Sequence, residues 1–119
     1  MELKIKNKKI GKNNPTFVIA EGGINHNGDV KIAKKLVLNA AEIGSDAIKF
    51  QTFTASDLTS VKSKYYKLFK KLELSESQFG EISDFAKENK IIFLSTPFSE
   101  NAVDILDKLK VPAFKIASG

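Results

Sequence analysis

The pattern that decides the fold lies in residues 17–52, which read FVIAEGGINHNGDVKIAKKLVLNAAEIGSDAIKFQT. Two short apolar runs, FVIAE (17–21) and DAIKFQT (46–52), flank a segment whose apolar residues recur at helical spacing. Asp29 is a plausible N-cap for that helix, and Gly44 is a stop signal after it. The order of strand, helix and strand predicts two parallel strands joined by a helical crossover.

The same alternation continues along the rest of the chain. IIFLST (91–96) and AFKIAS (113–118) are two further apolar runs with the composition of buried strands. One helix is predicted from the capping box that Ser75 opens, and another from Ser99 to a point before Pro112. Four strands with intervening helices fit either an open doubly wound sheet or the first half of an eight-stranded barrel.

A hairpin is predicted ahead of these units. LKIKNKKIG, residues 3–11, alternates apolar and polar residues around Asn7, as two short antiparallel strands do. The break at Asn13, Asn14 and Pro15 separates it from the first apolar run. The domain prediction is therefore a hairpin over residues 1–14 and an α/β unit over residues 15–119.

Composition excludes several classes of function. All 19 basic residues of the 119-residue chain are Lys, and the formal net charge is +5. Without Arg there is no bidentate recognition of guanine or phosphate, so a nucleic-acid partner is not expected. The absence of Cys excludes disulfides and thiolate metal sites. No apolar run approaches the ~20 residues of a membrane span, and a soluble cytoplasmic protein is expected.

Ligands of parallel α/β folds bind at the carboxyl ends of the strands. Alternation along the second strand places Lys49 and Gln51 on the face opposite Ile48 and Phe50. The same alternation places Lys115 opposite Phe114 and Ile116, so that the bulky apolar residues can pack under the helices. The candidate site residues at these ends are Glu21, Lys49, Gln51, Thr96, Lys115 and Ser118.

Two interpretations of these charges stay open. Lys49 and Glu21 can form a structural ion pair, because a lysine inside an apolar strand is costly unless it is paired. However, two lysines near a single carboxylate leave a surplus positive charge that suits an anionic ligand. Hydroxyl groups at Thr96 and Ser118 would complete a cradle for a carboxylate or phosphate.

The loop EGGINHNGD, residues 21–29, also has two interpretations. Its glycines and asparagines are turn residues, and a single histidine such as His26 is more often a structural hydrogen-bonding group than a ligand. The glycine spacing does not match the GxGxxG dinucleotide fingerprint. The loop is therefore either a structural turn or one side of a binding site.

Four motifs in order resemble one family: AEGGINHNGD, AIKFQTF, FLSTPFSENAVDIL and VPAFKIASG. Together they resemble the N-terminal half of the barrel of sialic acid synthases, which include N-acetylneuraminate, legionaminate, pseudaminate and spore-coat polysaccharide synthases. The resemblance implies the first half of a TIM (β/α)8 barrel with four parallel strands, whose bottom is closed by the hairpin. EGG stands where many relatives have EIG or EAG.

The resemblance implies a transferase that condenses phosphoenolpyruvate with an N-acetylmannosamine-like sugar. The product is a nine-carbon 2-keto acid, and phosphate is released by cleavage of the C–O bond. In the family a divalent metal, Mn²⁺ or Mg²⁺, polarises the aldehyde of the sugar, and its histidine ligands belong to the second half of the barrel. A homodimer and a small C-terminal antifreeze-like domain are also implied.

The resemblance assigns roles to eight residues of this chain. Phosphoenolpyruvate would be bound by Lys49, Thr96, Lys115 and Ser118. Glu21 would face the reacting carbons, and Gln51 would support Glu21 or a metal-bound water. Asn25 and His26 would shape the sugar side of the pocket, and no metal ligand is assigned in this chain.

Length sets a further expectation. An eight-stranded barrel needs ~250 residues, whereas this chain ends at Gly119, after four predicted strands. The 119 residues alone are therefore expected to lack catalytic activity. Two alternatives remain: a non-catalytic half-barrel that binds a small anion or associates with itself, and an open α/β protein that binds a phospho-ligand.

Overall fold

The computed structural model of the protein describes residues 2–118. An antiparallel two-stranded sheet precedes a parallel three-stranded sheet, and the helices follow the strands of the latter. In chain order the elements are β1 (Glu2–Ile5), β2 (Lys8–Gly11), β3 (Ile19–Gly23), α1 (Val30–Glu42), β4 (Ala47–Thr52), α2 (Ala55–Leu58), α3 (Tyr66–Leu72), α4 (Glu76–Glu88), β5 (Ile92–Pro97) and α5 (Glu100–Lys108).

The parallel sheet has the strand order β3-β4-β5. The side chains of β4, its central strand, point to two different faces of the sheet. Ile48 and Phe50 are buried in the main core cluster, together with Val37 of α1 and Ile82 of α4. Lys49 lies on the other face, beside its register partner Glu21 of β3. The prediction from alternation is confirmed for β4: one face packs under the helices and the other carries polar groups.

The predicted helix starts are confirmed by local hydrogen bonds. The side chain of Asp29 accepts a bond of 2.7 Å from the backbone amide of Lys31 at the start of α1. Ser75 and Gln78 form the expected capping box of α4, with reciprocal bonds of 3.2 and 2.8 Å. Ser99 caps α5. These bonds satisfy amide groups that a helix leaves without partners at its first turn.

Replacing Ser75 with Ala is expected to lower the free energy of unfolding by about 1 kcal/mol, because the amide of Gln78 loses its capping acceptor. Ser77 provides a matched control, since it is exposed within the same helix. Ser77→Ala is expected to change stability by less than about 0.5 kcal/mol. Urea unfolding of the two variants checks this difference, and equal effects would contradict the role of the cap.

The fourth predicted strand is not formed in the part of the chain that the structure describes. Residues 113–118 run beside β5 with one backbone bond of 3.5 Å, from the amide of Lys115 to the carbonyl of Ser95. A single long bond does not make a parallel ladder, which needs evenly repeated bonds. Phe114 and Ile116 are exposed, so the expectation that they pack under the helices is not met.

The predicted hairpin is confirmed, with β1 and β2 paired around a turn at Lys6 and Asn7. Ile5 packs against a small core cluster that contains Ala47 and Ile92, the first residues of β4 and β5. The hairpin therefore lies near the amino ends of the parallel strands. Closure of a barrel bottom and the division into residues 1–14 and 15–119 stay predictions.

The segment between β4 and α4 contains two short helices, α2 and α3. Lysines and aromatic residues alternate along residues 62–71, a pattern typical of a solvated helix, and α3 occupies the later part of this stretch. Within residues 2–118, no helix has both the length and the apolar character needed to cross a membrane.

Candidate functional site

A cleft of about 300 Å³ lies at the carboxyl ends of β4 and β5. Its walls come from three strands and from the segment that follows α5. The lining residues are Glu21, Lys49, Gln51, Thr96, Phe98, Lys115, Ala117 and Ser118. Six of these eight residues were predicted from their positions at the carboxyl ends of the strands, so the fold brings most of the predicted site together.

Glu21 and Lys49 form an ion pair across β3 and β4, where they are direct register partners. The side chain of Lys49 is 12% exposed and that of Glu21 is 55% exposed. The carboxylate thus compensates a lysine that would otherwise lie nearly buried and unpaired. The structural ion pair is present, and the carboxylate also remains open to the cleft.

Lys115 supplies a second positive charge to the same cleft. Its Nζ donates a bond of 2.5 Å to the carbonyl of Ile116, and its side chain is exposed. The two lysines and one glutamate of the lining leave one net positive charge. This surplus is what an anionic ligand requires, and charge-assisted hydrogen bonds from lysine to a carboxylate or phosphate are strong.

The position of Glu21 depends on an irregularity in β3. Glu21 pairs with Lys49 and Gly23 with Phe50, so Gly22 is an extra residue between them. Such bulges redirect side chains at strand ends. A Cβ on Gly22 would lie 2.7 Å from Cε1 of Phe50, so the ring occupies the space that a side chain at position 22 would need. A side chain at position 22 would therefore require the Phe50 ring to move.

Hydroxyl groups at the end of β5 fall on different faces of the sheet. Thr96 lines the cleft and is the register partner of Gln51, which also lines it. Ser95 points the other way, and its Oγ lies 2.7 Å from Oγ1 of Thr52 in the protein interior. Thr96 is therefore a candidate ligand-binding group, whereas Ser95 is a structural one.

Asn25 and His26 do not belong to the lining of this cleft. Asn25 is exposed, and its backbone amide donates to the carbonyl of Gly22 at 3.0 Å. His26 is 1% exposed, and its Nδ1 accepts a bond of 2.9 Å from the amide of Gly28. This geometry matches the structural interpretation of His26. The contact of both residues with a sugar stays a prediction.

Burial controls the protonation of His26. Because Nδ1 accepts a hydrogen bond, the proton of the neutral ring lies on Nε2, which has no hydrogen-bond partner among the described residues. Desolvation lowers the pKa of the imidazole below its ordinary value. A second proton on Nδ1 would break the bond from Gly28, so the folded loop favours the neutral ring.

Stability is therefore expected to fall in acid because of His26. At a pH well above the ordinary pKa of about 6.5 the ring is neutral in both states and contributes no pH dependence. Below it the unfolded chain takes up the proton first, and the free energy of unfolding falls by at most about 1.4 kcal/mol per pH unit. His26→Asn keeps an acceptor for the Gly28 amide but does not titrate. Urea unfolding of both proteins between pH 5 and pH 7.5 should show the steeper slope in the wild type, and equal slopes would refute this account.

Comparison with known proteins identifies the family. The NeuB family matches residues 36–119. The chain belongs to the NeuB family. Over 118 residues it is 55% identical to an uncharacterized protein of Methanocaldococcus jannaschii, covering 99% of this chain and 35% of that protein. It is 43% identical over 126 residues to the N,N'-diacetyllegionaminic acid synthase of Legionella pneumophila, covering 94% of this chain and 35% of that enzyme.

Solved structures show the same relationship. The N-acetylneuraminic acid synthetase of Leptospira borgpetersenii, solved in complex with citrate, has a TM-score of 0.92 and 33% identity, covering 98% of this chain and 41% of that chain. The spore coat polysaccharide biosynthesis protein SpsE of Bacillus subtilis has a TM-score of 0.81 and 38% identity. The match covers 99% of this chain and 34% of that chain. The family resemblance and the fold class, the N-terminal half of a TIM barrel, are confirmed. This NeuB-family chain spans about a third of the length of the curated relatives it matches.

Two lining residues of this NeuB-family cleft were missed from the sequence. Phe98 follows the end of β5 directly, so the strand-end rule could have included it if apolar residues had been considered. Ala117 is two residues beyond Lys115 and shares its side of the extended segment. Both have apolar side chains, whereas the residues predicted at the strand ends all have polar ones.

Proposed function

We propose that this chain is part of a synthase that condenses phosphoenolpyruvate with an N-acetylmannosamine-like sugar to a nine-carbon 2-keto acid. The observation that carries the proposal is the cleft in which Lys49, Lys115 and the paired Glu21 converge at the strand ends. Phosphoenolpyruvate carries a phosphate and a carboxylate, and the cleft offers two ammonium groups. Family membership supports the reaction class, since a close relative is a legionaminic acid synthase.

In the proposed mechanism the lysines bind the two anionic groups of phosphoenolpyruvate. Hydroxyl groups of Thr96 and Ser118 donate further hydrogen bonds to the same oxygens. These contacts orient the enol so that its C3 can attack the aldehyde carbon of the open-chain sugar. A fixed near-attack geometry is one of the larger sources of rate acceleration in two-substrate reactions.

Glu21 has the proton-transfer role in this proposal. As the carbon–carbon bond forms, the π bond of the aldehyde breaks and its oxygen takes up a proton from solvent to become a hydroxyl group. Water then adds at C2 of the former phosphoenolpyruvate, and the carboxylate of Glu21 accepts a proton from that water. The tetrahedral intermediate then breaks its C2–O bond and releases phosphate, leaving the 2-keto group. Lys49 holds the carboxylate in place through their ion pair, and a general base must be positioned in this way. Gln51, which lines the same cleft, would orient the water.

The divalent metal implied by the family does not fit the residues described here. Within residues 2–118 no group of three or more His, Cys, Asp or Glu side chains could hold a metal ion. We therefore propose that the Mn²⁺ or Mg²⁺ ligands lie outside these residues, where the ion would polarise the aldehyde of the sugar. A homodimer and a cytoplasmic location belong to the same proposal.

The test uses the full protein as its source produces it, with Mn²⁺, phosphoenolpyruvate and N-acetylmannosamine or a diacetamido analogue. Equal amounts of phosphate and 2-keto acid are expected. Phosphoenolpyruvate labelled with ¹⁸O at the bridging oxygen should deliver the label to phosphate, because the C–O bond breaks. If no N-acetylated sugar leads to phosphate release from phosphoenolpyruvate, the reaction is rejected and a half-barrel that only binds anions is favoured.

A further inference from the structure

Phe98 gives the candidate cleft an apolar side. Phe98 is the aromatic residue of the lining, and Ala117 is a second lining residue with an apolar side chain. The backbone amide of Phe98 donates to the carbonyl of Thr52 at 3.1 Å, which ties its position to the end of β4. The lining therefore combines charged and hydroxyl-bearing groups with two side chains that offer no hydrogen bond.

Two further aromatic residues hold this ring in place. Phe53, which is 5% exposed, packs edge-on against Phe98 with ring centroids 6.3 Å apart and an interplanar angle of 90°. Phe69 of α3 packs on Phe53 in the same way, at 6.3 Å and 85°. Edge-to-face pairs at this separation are favourable. Phe98 is half-buried and lines the cleft, whereas Phe53 does not line it, so the contact with Phe53 supports the ring from outside the lining.

We propose that Phe98 is a specificity-determining residue that selects an organic phosphate over inorganic phosphate. This inference rests on the proposed function of the cleft. The lysines and hydroxyl groups recognise anionic oxygens, which phosphoenolpyruvate and inorganic phosphate share. Only the carbon skeleton of the organic anion can contact Phe98 and Ala117, and affinity differences between ligands arise from contacts that one of them lacks.

The arrangement also gives the region around α3 an indirect role. The chain of rings from Phe69 through Phe53 to Phe98 connects α3 to the cleft. Phe53 touches Phe98 and is not among the lining residues, so it acts as a positioning residue. A smaller side chain at position 53 would let the Phe98 ring tilt away from the ligand.

The experiment measures two dissociation constants by isothermal titration calorimetry, for phosphoenolpyruvate and for inorganic phosphate, with the full protein. Phe98→Ala is expected to weaken phosphoenolpyruvate binding about tenfold, the effect of losing a small apolar contact in a pocket. Phosphate affinity should change by less than about twofold, since its oxygen contacts remain. Phe98→Leu should restore most of the selectivity, and Phe53→Leu should reduce it by a smaller factor.

Other outcomes overturn the inference. Equal losses for both anions would mean that Phe98 only supports the shape of the cleft. Unchanged phosphoenolpyruvate affinity, or a wild-type protein that binds both anions equally well, would mean that Phe98 does not discriminate. Turnover of the wild-type protein is measured separately with the sugar present. If the wild type turns over but Phe98→Ala does not change the anion selectivity, this inference alone is rejected. Absent turnover with intact selectivity rejects the proposed reaction and keeps the role of Phe98.

Discussion

Replacing Lys49 with Met is expected to weaken phosphoenolpyruvate binding by roughly 100-fold, because the ligand loses hydrogen bonds from a charged group, which are worth about 1.5–3 kcal/mol. The variant loses an ammonium group of the cleft and leaves the Glu21 carboxylate without its partner. The lining then carries no net positive charge, and the remaining carboxylate repels an anionic ligand. Calorimetric titration of the full protein measures the effect.

Lys35 provides the matched control. It is exposed on α1, whose buried face packs on the opposite side of the sheet from the cleft. Lys35→Met removes the same charge from the protein, and its effect on phosphoenolpyruvate affinity is expected to stay within about twofold, because exposed charges are screened by solvent and salt. A comparable loss in both variants would mean that total charge, and not the cleft, attracts the ligand.

A double variant separates the two interpretations of the ion pair. If Lys49 serves only to neutralise Glu21, then Glu21→Gln combined with Lys49→Met removes both charges and should restore wild-type affinity. If Lys49 binds the ligand directly, the double variant stays weak, and the single variant Glu21→Gln keeps its affinity while losing turnover. The second pattern is expected, because the cleft contains a further lysine without a further carboxylate.

Features governed by neighbouring residues could be predicted from the sequence. The caps at Asp29, Ser75 and Ser99 depend on hydrogen bonds that span two or three residues, so the motif itself contains the interaction. The faces of β4 follow from strict alternation, and this placed Lys49 and Gln51 on the cleft side. Most of the cleft lining could be predicted because the carboxyl ends of parallel strands lie at a common edge of the sheet.

Features governed by distant contacts could not be predicted in the same way. AFKIAS has the composition of a strand, but a ladder requires repeated bonds with β5, and the structure has one. The ring of Phe98 is held by Phe53 and Phe69, which no local pattern relates to it. His26 was left with two interpretations, and packing beside Phe50 placed it in the interior and away from the lining.

Gly28→Ala is expected to be the most destabilising change in the loop that joins β3 to α1. Gly28 has φ +75°, and a left-handed conformation costs a residue with a Cβ about 1–2 kcal/mol. A Cβ at this position would also lie 2.1 Å from the carbonyl oxygen of Lys71, a backbone atom that cannot move without displacing the end of α3. With about 1–3 kcal/mol for overpacking, a loss of about 4 kcal/mol in the free energy of unfolding is expected.

Gly44 separates the two contributions. It has φ +80° but no heavy atom within 4 Å of its would-be Cβ, so Gly44→Ala carries the backbone strain alone and is expected to cost about 1 kcal/mol. Urea unfolding of both variants gives the difference, which measures the contact between the loop and α3. Equal losses of unfolding free energy in the two variants would show that the backbone at Lys71 can move aside at little cost. A large difference would show that the loop and α3 are held rigidly against each other. In that case Gly28→Ala should also displace the rings of Phe69 and Phe53, and it should lower the anion selectivity that depends on Phe98.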